Sequence, residues 1–63
     1  MSFRPGDLAV AGLHYVIIVK GPYEISWTGP YGETNIRLAY DVIFNGQLLT
    51  GVSSAYLSKP NFD

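Results

Sequence analysis

The sequence predicts a small antiparallel all-β domain, on three observations: an Asn-Gly pair between alternating apolar residues, short β-branched runs punctuated by Gly and Pro, and no helical periodicity. The first is the strongest. In Tyr40-Asp41-Val42-Ile43-Phe44-Asn45-Gly46-Gln47-Leu48-Leu49 the Asn45-Gly46 pair suits a type I′ turn. Such a turn needs positive φ at both central residues, so Phe44 and Gln47 should face each other across it.

The elements follow in order. Pro5-Gly6-Asp7 is a turn leading into Leu8-Ala9-Val10-Ala11, and Gly12 separates this strand from Tyr15-Val16-Ile17-Ile18-Val19. That second run is apolar on both faces, which predicts a central strand covered on each side. Gly21-Pro22 should end it. Tyr23-Glu24-Ile25-Ser26-Trp27-Thr28 then alternates as a third strand, with Tyr23, Ile25 and Trp27 on one face. Gly29 to Thr34 is a turn-rich loop with Tyr31 at its tip. Asn35 to Phe44 reads as one long strand that must bend or bulge, and Gln47 to Val52 returns from the hairpin. Ser53 to Leu57 predicts a single helical or 3₁₀ turn with Ser53 as its N-cap, and Ser58-Lys59-Pro60 closes the edge. About five short strands at this spacing favour a closed barrel, because closure removes exposed edges. The expected core is Val10, Val16, Ile18, Val42, Phe44, Leu49, Val52 and Leu57.

Sixty-three residues make one domain near the lower size limit for an unaided core. With no Cys, neither disulfides nor thiolate metal sites can reinforce it. Hydrophobic residues are 48% of the chain and charged ones 14%, against about 25% in typical globular domains. Too few charges exist to cover the surface, so part of the aromatic content must be exposed and available to a partner.

A net charge of -1, with Arg4, Lys20, Arg37 and Lys59 scattered, provides no footprint for a phosphate backbone, so no nucleic acid is expected. No membrane association is expected either, since Tyr15 to Val19 falls far short of the roughly 20 residues of a span. The residues from Met1 to Gly6 lack the apolar region of a secretory signal. His14 is the single histidine and has no companion at ligand spacing, so no metal and no other cofactor is expected. Asp7, Glu24, Glu33, Asp41 and Asp63 form no pair poised for acid–base work, and no small-molecule substrate or enzymatic activity is anticipated.

Pro5-Gly6-Asp7-Leu8-Ala9 at the start, the β-branched second strand, Tyr40 to Gly46, and the Tyr56-Leu57 turn before a last short strand together resemble an SH3-like barrel. The likeness is greatest to the very small SH3-like barrels of tailed-bacteriophage structural proteins, which open with Pro-Gly-Asp-Leu-Val and carry a Tyr-x-Val-x-Phe-x-Gly hairpin. It extends from Pro5 to Lys59, with short tails at about 1–5 and 59–63. Two departures are a longer inserted hairpin, Tyr23 to Tyr40, and Ser53-Ser54-Ala55 in place of acidic residues in the closing turn. The resemblance implies a five-stranded antiparallel barrel with an extended hairpin loop. It further implies a non-enzymatic virion subunit, either a capsid decoration or cement protein or a tail-connector accessory, whose partners are other virion proteins or copies of itself. The residues expected to meet the partner are Phe3, Tyr23, Trp27, Tyr31 and Phe62, large aromatics on the projecting hairpin and the terminal segments. The alternative is a cellular SH3-like module that docks a peptide or a multi-subunit complex in an aromatic groove.

Overall fold

The computed structural model describes residues 2–61. Five strands, β1 (Leu8–Ala11), β2 (His14–Thr28), β3 (Thr34–Phe44), β4 (Gln47–Ser53) and β5 (Leu57–Ser58), form one antiparallel sheet in the order β4-β3-β2-β1-β5. A 3₁₀ turn, Ser54–Tyr56, joins β4 to β5, and the described residues include no α-helix. A flat five-stranded sheet would hold its outer strands about 19 Å apart, at about 4.8 Å per spacing. Here the outer strands are β4 and β5, and the 3₁₀ turn between them advances only about 2 Å per residue. The sheet is therefore coiled, and its concave side encloses the core.

Several local signals act as the sequence predicts. Asn45 and Gly46 both take positive φ, 52° and 78°, and Phe44 pairs with Gln47 across the turn. The Ser53 side chain caps the 3₁₀ turn, accepting from the Ala55 N–H at 3.2 Å. Val16, Ile18, Val42 and Leu57 are buried as expected.

The rest of the core differs. In β1 the buried residue is Ala9, paired with Val16, while Val10 faces outward beside Tyr15 and is half-buried. The reason is steric: the cluster already holds Phe3, Ile18 and Tyr40, so small Ala9 and Ala11 fit where a larger side chain would overfill it. Leu49 lies on the inward face opposite Val42 but at the open end of the coil, where it stays 41% exposed. Phe44 and Val52 pack against the core only in part.

Phe3 is the largest correction. Rather than standing on an outward tail it is 3% exposed, edge-on to the Tyr40 ring at 5.6 Å and 86°. Its backbone N–H donates to the buried Tyr40 hydroxyl at 3.0 Å, giving that oxygen the partner that burial demands. Lys59 Nζ lies over the Phe3 ring, 5.1 Å from its centre. Asp7 secures the turn beneath, accepting the Arg4 N–H through its carboxylate at 2.9 Å, and the segment then pairs with β2 through Gly6 N–H to Ile18 O and Ile18 N–H to Asp7 O.

Gly21-Pro22 does not end a strand. The chain runs through them as one 15-residue β2, and Tyr23–Thr28 is its continuation past a register irregularity between Ile18 and Tyr23. Gly21 makes this passage possible. Its φ is 118°, and a Cβ there would stand 2.9 Å from both Ala39 O and Tyr40 Cδ1. Beyond the Tyr23–Ala39 pair β2 and β3 continue alone as a two-stranded ribbon, and the molecule measures 44 × 24 × 19 Å.

Candidate functional site

Three surface features concern function: the ribbon, an apolar cleft and the convex face of the sheet. On the ribbon, directly opposed residues share a face, so Tyr23, Ile25, Trp27, Asn35, Arg37 and Ala39 lie on one side. Trp27 is partly exposed there under the Arg37 guanidinium, 5.4 Å from its ring, and Tyr31 at the tip is 94% exposed. Tyr23 has a different place. It is half-buried at the base of the ribbon, and its hydroxyl donates to Asp41 Oδ1 while accepting the Gly51 N–H at 2.9 Å. That Gly51 N–H also reaches Asp41 Oδ1 at 3.2 Å, so the three groups clip β2 and β3 to β4. The hydrogen bond to Asp41 raises the Tyr23 pKa above the ordinary tyrosine value, with desolvation adding to it and the Gly51 bond opposing.

Of the aromatics expected to meet a partner, Trp27 and Tyr31 are thus presented outward, Tyr23 is engaged with its own chain, and Phe3 is in the core. Phe62 lies outside the described residues.

The cleft has a volume of about 200 Å³ and is lined by Ala11, His14, Val16, Val42, Phe44 and Leu49, with Val52 at its side. It is the open end of the coil, where Leu49 and Phe44 leave the core incompletely covered. His14 lies against Phe44, ring centres 4.8 Å apart. Among the described residues no three His, Cys, Asp or Glu side chains converge on a point where a metal ion could sit. Three carboxylates serve the backbone instead: Asp7 accepts from the Arg4 N–H, Glu33 from the Tyr31 N–H at 3.0 Å and Asp41 from the Gly51 N–H. No described helix is long and apolar enough to cross a membrane.

The convex face was not singled out by the sequence. Strand pairing aligns Leu8, Ile17, Ile43 and Leu48 in one row across β1, β2, β3 and β4, every one opposite the face that carries Ala9, Val16 and Val42. Ile17 and Ile43 are each about two-fifths exposed, Leu48 60%. Val10 and Tyr15 make the adjacent row, with Tyr15 57% exposed, and Val19 extends the patch along β2. Across the strands it is about 14 Å wide, three spacings of about 4.8 Å. The charged residues nearest in register, Asp7 beside Leu8 and Lys20 with Asp41, lie at one end, and the Asp7 carboxylate accepts the Arg4 N–H. Tyr15 to Val19, apolar on both faces, was expected to be covered on each side, but Tyr15, Ile17 and Val19 are exposed on the outer one.

No family model, curated protein or solved structure matches the chain.

Proposed function

We propose that this chain is a non-enzymatic assembly subunit of a bacteriophage particle, a decoration or tail-connector component built on an SH3-like barrel and acting through protein–protein contacts in the virion. The carrying observation is the apolar row Leu8, Ile17, Ile43 and Leu48 on the convex face. Contiguous apolar surface on a small chain is the mark of an interaction site, and here it lies on four hydrogen-bonded strands rather than on a loop. The coiled strand order and the 3₁₀ turn ahead of the last short strand support the SH3-like reading. Trp27 and Tyr31 on the ribbon add anchors at a second point of contact. Partners are other virion proteins, copies of the chain, or both.

The test is the double variant Ile17→Lys, Ile43→Lys, co-expressed with the products of neighbouring genes. Both side chains point away from the core, so the variant should fold as wild type yet fail to co-elute with the assembly. Normal incorporation would remove the convex face from the account. A second reading, a cellular module that docks a peptide, rests on the apolar cleft beside Phe44 and His14. Phe44 is the one aromatic among the cleft's apolar residues, fewer than a peptide groove ordinarily uses, which places this reading second.

A further inference from the structure

The outer half of β3 is a bare strand edge. β4 pairs with β3 from Phe44 to Ala39 and stops at Ser53, where the 3₁₀ turn begins. From Thr34 to Leu38, β3 pairs with β2 alone. The tip fixes the phase of that ladder, because the Gly29 N–H donates to Glu33 O at 2.8 Å. Hydrogen-bonded and non-bonded pairs alternate from there. Trp27 with Asn35, Ile25 with Arg37 and Tyr23 with Ala39 are therefore the bonded pairs, and the N–H and C=O groups of Thr34, Ile36 and Leu38 point away from β2. Tyr40, in the same phase, pairs with Val52 of β4. This edge is thus the one β4 already uses, left uncovered for five residues. It has none of the usual protection: no Pro, no bulge, and Arg37 as its single charge. Ile36 is 62% exposed, and Leu38 beside it is exposed too.

We propose that this edge pairs with the same edge of a second copy, antiparallel about a two-fold axis at Ile36, giving a continuous four-stranded sheet. The register identifies the occupant. Centred on Ile36, it sets Ile36 against Ile36 of the copy, Thr34 against Leu38, and Asn35 against Arg37. No like charges oppose each other, and the guanidinium meets an amide that can accept from it. Thr34, Ile36 and Leu38 then form three bonded pairs, each exchanging two hydrogen bonds. One patch facing itself is the geometry of a closed two-fold dimer, and a net charge of -1 barely resists it. A two-stranded ribbon is marginal in water, whereas four strands with Ile36 and Leu38 packed across the seam are not. The opposite edge, along β2, is broken at its base by Pro22, which has no N–H to offer. The inference rests on the assembly reading and adds one partner to it.

Sedimentation of the full chain over a range of concentrations, with amide hydrogen exchange, tests it. The wild type should form a dimer, and the Thr34, Ile36 and Leu38 amides should gain protection as the dimer forms while that of Ser26 on the opposite edge does not. Ile36→Lys sets two like charges on the axis and should weaken dimerisation at least tenfold while the melting curve stays as in the wild type. The Ile17→Lys, Ile43→Lys variant should dimerise normally, which separates this edge from the convex face. A wild type that stays monomeric at every concentration overturns the proposal. So does a dimer that survives Ile36→Lys, or edge amides protected only when another gene product is added.

Discussion

Replacing Phe3 by Ala tests whether the amino-terminal segment is part of the packed body. Phe3 is buried, meets Tyr40 edge-on, and lies under the Lys59 ammonium, so truncation to Ala removes nearly a whole ring from a core with few other large side chains. Buried Phe→Ala changes cost about 3–5 kcal/mol. Because the segment lies near the chain end and can partly collapse, the expected value is the lower limit, about 3 kcal/mol. Total stability for a domain of this length is about 3–9 kcal/mol, so the variant loses between a third and all of it. At about 4–8 °C per kcal/mol, the midpoint should fall by about 12–24 °C if the variant folds at all. Urea and thermal melts followed by far-ultraviolet circular dichroism measure this. Tyr40→Phe is the companion: it leaves the Phe3 N–H buried without its acceptor and should cost about 1–3 kcal/mol. A Phe3→Ala change below about 0.5 kcal/mol, the range of ordinary surface substitutions, would mean that Phe3 does not belong to the core.

Gly21→Ala should destabilise by at least about 2 kcal/mol, since it forces a Cβ into left-handed backbone and against the β3 main chain. Gly32→Ala is the control, with positive φ but open space around it, and should cost only about 1 kcal/mol in the same urea melts. For Tyr23, the raised pKa in the folded state means that its stabilising contribution is complete below the unfolded phenol value of about 10 and is lost as pH rises through the folded one. Stability measured across that alkaline window should fall less steeply in Tyr23→Phe than in the wild type. Equal slopes would show that the clip to Asp41 and Gly51 does not form.

Where a residue's conformation depends on its immediate neighbours, the sequence was a sound guide. Asn45-Gly46 dictated its turn and Ser53 its cap, because both act within three residues. Val16, Ile18 and Val42 were identifiable as core candidates because β-branched runs mark buried strands, although both parities of Tyr15 to Val19 are apolar. Alternation failed at Leu8-Ala9-Val10-Ala11, where both parities are apolar and the choice is made by volume: the inward slots face a cluster already filled by Phe3 and Tyr40, which only small side chains can share. Phe3 itself was misplaced because its burial depends on a bond to Tyr40, 37 residues away, that no local pattern encodes. Gly21-Pro22 read as a terminator because Gly and Pro usually are, whereas close approach of the β3 backbone needs a glycine there. For the candidate site, the exposure of Trp27 and Tyr31 was legible from their place in a projecting hairpin. The convex row was missed because Leu8, Ile17, Ile43 and Leu48 come from four strands and become neighbours only once the registers are known.

Chemical labelling of tyrosines in the free chain and in the assembly tests most directly that the convex face is the assembly surface. Tyr40, fully buried, is the internal blank and should stay unreactive in both states. Tyr15, on the convex face, should react in the free chain and become protected on assembly, while Tyr56, exposed on the 3₁₀ turn, keeps its reactivity. Equal labelling of Tyr15 in the two states would contradict the account, and protection confined to Tyr31 would move the interface to the ribbon tip.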